Sequence, residues 1–162
     1  GWALRADTAF GRVIDACAAV PRRGQDGTWI TPAMRHAYLE LHRLGHAHSV
    51  EVYEGPSLVG GIYGVAVGRM FFGESMFSGR SGGSKAALAG LAAFLRRRGW
   101  PLIDAQVENA HLVSLGAERW ARARFLQEVA ALAAGPGTPG SWTAGFGCVE
   151  AAALAPPIPT GA

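Results

Sequence analysis

From His48 to Glu74 the apolar positions recur every second residue, and this stretch limits most strongly the folds open to the chain. Val50 and Val52 alternate with Glu51 and Tyr53, Gly55-Pro56 turns the chain, Leu58 to Val67 forms a second strand and Arg69 to Glu74 a third. Successive side chains of a strand point to opposite faces, and turns this short join antiparallel neighbours, so the pattern predicts a three-stranded meander. Helical spacing brackets it. Phe10, Val13, Ile14 and Cys17 predict a helix over about 7–18, with Asp7 or Thr8 as its cap. Pro21 to Gly27 is turn chemistry; Thr31-Pro32 then reads as N-cap and first residue of a helix that carries Met34, Tyr38 and Leu41 inward and ends at Gly45.

After the meander, Ser78 to Gly83 reads as a Gly/Ser loop. Ser84 starts a helix through Leu88, Leu91 and Leu95 that Gly99 stops. Leu102 to Val107 is a strand whose nearly continuous apolar character predicts burial inside the sheet. Asn109 to Leu115 and Arg122 to Ala134 are helical. From 136 to 162 the composition falls to Gly, Pro, Ala and Thr, which predicts a tail in which Trp142 and Phe146 alone dock, beyond a domain of residues 1–135. The order predicts an α/β (α+β) architecture, a mostly antiparallel sheet flanked by helices, resembling the GNAT-like acyltransferase fold.

Composition excludes several classes. No apolar run approaches the roughly 20 residues of a membrane span. The opening residues, which start on Gly rather than Met, lack the basic start and apolar stretch of a signal peptide, and a fragment or processed product is expected. Cys17 and Cys148 stand alone, which fits a reducing compartment, and the cytoplasm is expected. The histidines lack metal-ligand spacing, and Ser75, His111 and Asp104 form a triad only on paper. Net charge is a mild +3, but arginines cluster at 96–98 and at 119, 122 and 124, either as solvated helix faces or as a field for phosphate.

Three polar residues stand out. Glu74 closes the third strand before a Gly/Ser loop, either an active-site carboxylate or a cap for that loop. Asp104 and Gln106 have period-two spacing, which predicts both side chains on one face of a strand, either a reactive pair or a structural network. Arg80-Ser81-Gly82-Gly83-Ser84-Lys85 is similar to the pyrophosphate turn of coenzyme-A acyltransferases, but Lys85 stands where a small residue is needed. A coenzyme-A-dependent N-acyltransferase is therefore the alternative reading.

Several segments, taken in order, resemble the leucyl/phenylalanyl-tRNA-protein transferases over roughly residues 8–129. They are Gly27-Thr28-Trp29-Ile30-Thr31, Leu44 to Val52, Leu58 to Ala66, Phe72-Gly73-Glu74-Ser75-Met76-Phe77-Ser78, Ser84-Lys85, Leu102 to Val107 and His111 to Ala117. The resemblance implies transfer of Leu or Phe, and by extension Met, from aminoacyl-tRNA to the α-amino group of proteins beginning with Arg or Lys. This marks them for N-degron degradation and requires no cofactor or metal. It implies Gln106, Asp104 and Glu74 as catalytic residues, an apolar pocket of Ile62, Met76, Leu91 and Ile103, Trp29 beside the adenosine end, and Ser78 among the substrate contacts. A cytoplasmic monomer is expected, as is a further small domain upstream, carrying part of the tRNA-binding surface, that this sequence does not contain.

Overall fold

The period-two stretch forms the middle of a six-stranded sheet. The computed structural model describes residues 1–20 and 28–154, so the expected turn at Pro21 to Gly27 and the last residues of the expected tail lie outside the described residues. The strands are β1 (Trp2–Ala6), β2 (Ala47–Glu54), β3 (Ser57–Val67), β4 (Met70–Ser78), β5 (Leu102–Asp104) and β6 (Val149–Glu150). They lie in the order β5-β4-β3-β2-β1-β6. All pairs are antiparallel except β4 with β5, which run parallel because the α3 helix (Gly83–Arg97) crosses between them. The mixed, mostly antiparallel architecture agrees with the sequence reading.

Both faces of the sheet are covered. On one face Val50, Val52, Ile62 and Phe71 pack against Leu91, Phe94 and Leu95 of α3. On the other, Tyr63 and Phe77 pack against helices α1 (Phe10–Ala19) and α2 (Pro32–Arg43). The α1 stripe of Phe10, Val13, Ile14 and Cys17 is buried as its spacing requires. In α2, Thr31 Oγ1 accepts the Met34 N–H (3.2 Å) and Pro32 occupies the first turn, as expected. Only Tyr38 of its inward set is fully buried: α2 rests on α1 and β2, and Met34 in its overhanging first turn stays exposed. Because this second face is helix-covered, Glu51, which alternates with Val50 and Val52, is buried with no exposed surface.

Neither Asp7 nor Thr8 caps α1. The N-cap is Ala9, without a side-chain bond, and both polar residues turn to β2. Asp7, in a left-handed conformation (φ 58°), accepts hydrogen bonds from His48 Nδ1–H (2.9 Å), Ser49 N–H (3.0 Å) and Trp142 N–H (2.7 Å). Thr8 donates its hydroxyl to Glu51 (2.6 Å), which also accepts from the Ser49 hydroxyl. Burial pushes the Glu51 carboxyl above its ordinary range, the donors from Ser49 and Thr8 pull it back in part, and the nearby Asp7 charge adds to the rise.

The C-terminal segment docks further than composition suggests. Trp142 is fully buried, stacked on His48 at 3.7 Å, and Phe146 of helix α6 (Thr143–Phe146) packs on Phe94. The Thr143 hydroxyl donates to the Ala6 carbonyl (3.0 Å), and β6 pairs with β1, a strand absent from the sequence reading. Each end supplies the other's missing partners, so neither is legible alone. Helices α4 (Ala110–Ser114) and α5 (Arg122–Ala133) form as predicted, with Asn109 capping α4 through the Leu112 N–H (2.9 Å). Among the described residues no helix is long and apolar enough to cross a membrane.

Trp142→Ala should lower unfolding free energy by about 3–5 kcal/mol as a buried aromatic is lost. Asp7→Ala should cost about 3 kcal/mol by leaving buried donors unpaired. The two share one contact, so urea denaturation of the double variant should show less than the sum; full additivity would contradict the coupling.

Glu51 gives a signed pH effect. Its folded-state pKa lies above the ordinary 4.5, so the native state holds this proton more tightly than the unfolded chain. Its ionisation therefore erodes stability as pH rises from about 4.5 toward the folded value. Relative to wild type, Glu51→Gln should gain stability through that window, as read from urea midpoints across pH.

Candidate functional site

Glu74 stands on a bulge rather than at a strand end. The β3–β4 register runs Ile62↔Met76 and Tyr63↔Ser75, then jumps to Gly64↔Gly73, and the strand continues to Ser78. Glu74 is the extra residue, a placement that re-aims a side chain out of the ladder. Gly64 permits it: a Cβ there would sit 2.1 Å from the Phe72 carbonyl oxygen. A glycine inside a strand is the signal that could have located the bulge from sequence.

Tyr38 is the residue that the sequence reading assigned to packing and the structure brings to Glu74. Burial first, then the hydrogen bond to Glu74 and its carboxylate charge, raise the Tyr38 phenol above its ordinary value, which keeps it neutral and able to donate. Trp29, 37% exposed, meets the Tyr38 ring edge-on, with centroids 6.4 Å apart. Trp29, Tyr38 and Glu74 thus form one line from surface to bulge.

Asp104 and Gln106 do not share a strand face. β5 ends at Asp104, is only half-buried and lies at the sheet edge, because its sole strand neighbour is β4. The chain then turns. Gln106 has φ 65°, a left-handed conformation that costs a non-glycine residue on the order of 1 kcal/mol or more. Asp104 Oδ1 offsets that cost by accepting the Gln106 backbone N–H (2.8 Å). The pair is joined, but by a turn that leaves the Gln106 side chain exposed. Asp104 pairs in register with Phe72, and its carbonyl oxygen lies 3.3 Å from the Cβ position of Gly73, so the turn begins beside the residue preceding Glu74.

The apolar candidates converge. Ile62 and Met76 are cross-strand partners, and both belong with Leu91 and Ile103 to the cluster under α3. Ile62 and Leu91 are buried, while Met76 and Ile103 remain partly open. Ser78 ends β4 beside the start of α3: its Oγ accepts the Ser84 N–H and donates to Ser84 Oγ, both at 2.9 Å. Ser84 Oγ lies 3.4 Å from His111 Nε2. His111 therefore meets Ser84.

The loop similar to a pyrophosphate turn is occupied by the protein's own bonds. Arg80 pairs with Glu54 (3.2 Å), its carbonyl accepts the Gly83 N–H (2.9 Å), and Ser78 takes the Ser84 N–H. Gly83 is required for close packing, since a Cβ there would lie 2.4 Å from the Val59 carbonyl oxygen. Two donors of that turn, the Gly83 and Ser84 N–H groups, are thus already engaged.

Beyond β5, a cleft of about 690 Å³ opens between the β5 turn and the segment running from α4 to α5, with Ile103, Asp104 and Gln106 on one wall. The arginines divide by environment. Arg98 donates to Thr138 (2.5 Å) and lies over Phe94 and Trp100, and Arg97, though exposed, has its guanidinium 5.8 Å from the Phe94 ring centroid; Arg96 extends into solvent from the last turn of α3. Arg119 is ion-paired with Glu108, and Arg124 lies 3.9 Å from the Trp120 ring centroid.

The family model described as leucyl/phenylalanyl-tRNA protein transferase matches residues 1–130. Among curated relatives, the leucyl/phenylalanyl-tRNA–protein transferase of Xanthomonas euvesicatoria pv. vesicatoria is 71% identical over 146 residues, 90% of this chain and 58% of the relative. That of Xanthomonas axonopodis pv. citri is 65% identical over 153 residues, 94% of this chain and 61% of the relative. That of Xylella fastidiosa is 64% identical over 146 residues, 90% and 60%. The chain spans about three fifths of the length of these relatives.

The Tyr38–Glu74 contact has a spectroscopic consequence. At neutral pH, with ring-labelled tyrosine, Glu74→Gln should shift the Tyr38 Cζ resonance while those of the other tyrosines stay in place; an unchanged Tyr38 resonance would remove Glu74 as its partner.

Proposed function

The chain belongs to the leucyl/phenylalanyl-tRNA protein transferase family, and on that premise we propose that it transfers Leu or Phe from aminoacyl-tRNA to the α-amino group of polypeptides beginning with Arg or Lys. The product is a peptide bond, and the extended chain is marked for degradation. The proposed setting is the cytoplasm and the proposed state a monomer.

The observation that carries the reading is the Asp104–Gln106 turn, held in a left-handed conformation directly after Ile103 of the apolar cluster. The aminoacyl ester already stores the driving energy, so the protein must position two substrates and stabilise charge. The acceptor nitrogen attacks the ester carbonyl carbon, the carbonyl becomes an oxyanion, the C–O bond to the ribose breaks, and the proton lost by the amine is taken up at the departing ribose oxygen. Gln106 supplies an amide at the sheet edge, where both donor and acceptor atoms face the reacting groups. Asp104 holds the Gln106 backbone rather than its side-chain amide, and so positions it. Glu74, with Tyr38 donating to it, holds the aminoacyl-adenosine end or the incoming amine.

The transferred side chain enters between Met76 and Ile103 and rests on Ile62 and Leu91. Methionine's unbranched, polarisable chain adapts to either Leu or Phe. Trp29 offers an exposed ring for the adenine, where stacking is worth about 1–3 kcal/mol per base. Ser78 orders the start of α3 beside this pocket.

Incubation with Phe-tRNA and a peptide beginning with Arg should yield a Phe-extended peptide. Gln106→Ala and Asp104→Ala should each lower the rate about 100-fold or more while circular dichroism stays unchanged. Absence of product, with the chain extended to the full length of its relatives, would sink the reading.

A further inference from the structure

We infer that the cleft between the β5 turn and the α4–α5 segment is the seat of the acceptor polypeptide, with Glu118 as the carboxylate that recognises its basic first side chain; this rests on the reading above. The cleft and the apolar cluster share a wall. Ile103 packs with Met76 into the cluster and also borders the cleft, and Asp104 and Gln106 follow it directly. An amine must come within about 3–3.5 Å of the ester carbonyl to react. A second substrate therefore needs a space that ends at Gln106, and this cleft is such a space. The Trp29–Tyr38–Glu74 line lies outside it.

The lining suits a peptide. Val107 is 82% exposed, an unusual state for a branched apolar residue, and Trp120 and Phe125 present partly open rings across from it. At about 690 Å³ the cleft falls in the range of small-ligand sites, enough for a few residues in extended form.

Charge selects among occupants. Asp104, Glu108 and Glu118 line the cleft together with Arg119 and Arg122. Glu108 and Arg119 neutralise each other, and Arg122 lies over the Phe125 ring at 5.8 Å. Glu118 is exposed and makes no ion pair among the described residues, so its charge is available to a ligand cation. Arg122, like Glu118, makes no ion pair among the described residues, so the unpaired charges of the lining are Asp104 and Glu118 against Arg122; that balance is negative and favours a peptide that brings a basic first side chain and a free α-amine over a phosphate backbone. The α-amine then faces Gln106, the basic side chain Glu118, and the next residues Val107, Trp120 and Phe125.

The test is a fluorescence titration with the peptide Arg-Phe-Ala-Ala-Ala, with Trp120→Phe used to assign the signal, run beside transfer kinetics. The Arg peptide should perturb Trp120 emission, and Glu-Phe-Ala-Ala-Ala should not. Glu118→Arg and Val107→Asp change exposed positions, so folding is preserved; each should raise the KM for the Arg peptide roughly tenfold and leave the KM for Phe-tRNA unchanged. An unperturbed Trp120, a signal from an oligonucleotide ending in CCA in place of the peptide, or variants that move only the Phe-tRNA KM would overturn the assignment. Peptide binding at Trp120 without any transfer keeps the cleft and discards the activity. Transfer with an unaltered peptide KM in both variants does the reverse.

Discussion

The carboxylate of Asp7 holds the two ends of the chain to the middle of the sheet. It ends β1, takes the backbone N–H of Ser49 and the imidazole N–H of His48 on β2, and takes the N–H of Trp142 from a segment 135 residues away. Trp142 then stacks on His48 and fills the space between Phe71, Phe94 and Trp100. A fully buried aromatic removes on the order of 200 Å² from water, about 5 kcal/mol before the entropy of ordering. That gain depends on Asp7, because the Trp142 backbone N–H, buried with its ring, has Asp7 as its acceptor.

With the sheet closed at that side, its other edge carries the candidate site residues. β4 carries a bulge and β5 is short, so side chains leave the regular ladder at neighbouring points and are held by specific bonds. Gln106 is held by Asp104, and Glu74 lies beside the Tyr38 phenol. Rigidity comes from α3, whose Gly83 lies against the Val59–Gly60 backbone and whose first N–H groups are engaged by Arg80 and Ser78. The same engagement that fixes the helix makes a coenzyme-phosphate site a poor fit there.

Much of this was legible residue by residue. The Thr31-Pro32 helix start, the α1 stripe, the meander turns, the glycine stop after α3 and the Asn109 cap all depend on neighbours within a few positions. The apolar cluster of Ile62, Met76, Leu91 and Ile103 was implied by resemblance and assembled by strand pairing. Glu74 was expected at a strand end because a Gly/Ser-rich run follows it. In the sheet, Gly64 opposite Gly73 accommodates an extra residue and the strand runs on. Asp104 and Gln106 were expected on one face because period two assumes an extended backbone, which the left-handed Gln106 breaks.

The sequence by itself determined the elements, since periodicity, caps and turn residues act through local backbone sterics and hydrogen bonds. Only the tertiary structure decided that Glu51 is buried, because period two distinguishes two faces without saying what covers either. Likewise only the tertiary structure made β5 a parallel edge strand, turned Tyr38 from packing to partner, and drew Trp142 into the core. These depend on contacts between residues far apart in the chain, whose free energies exist only once the backbone has brought the groups together.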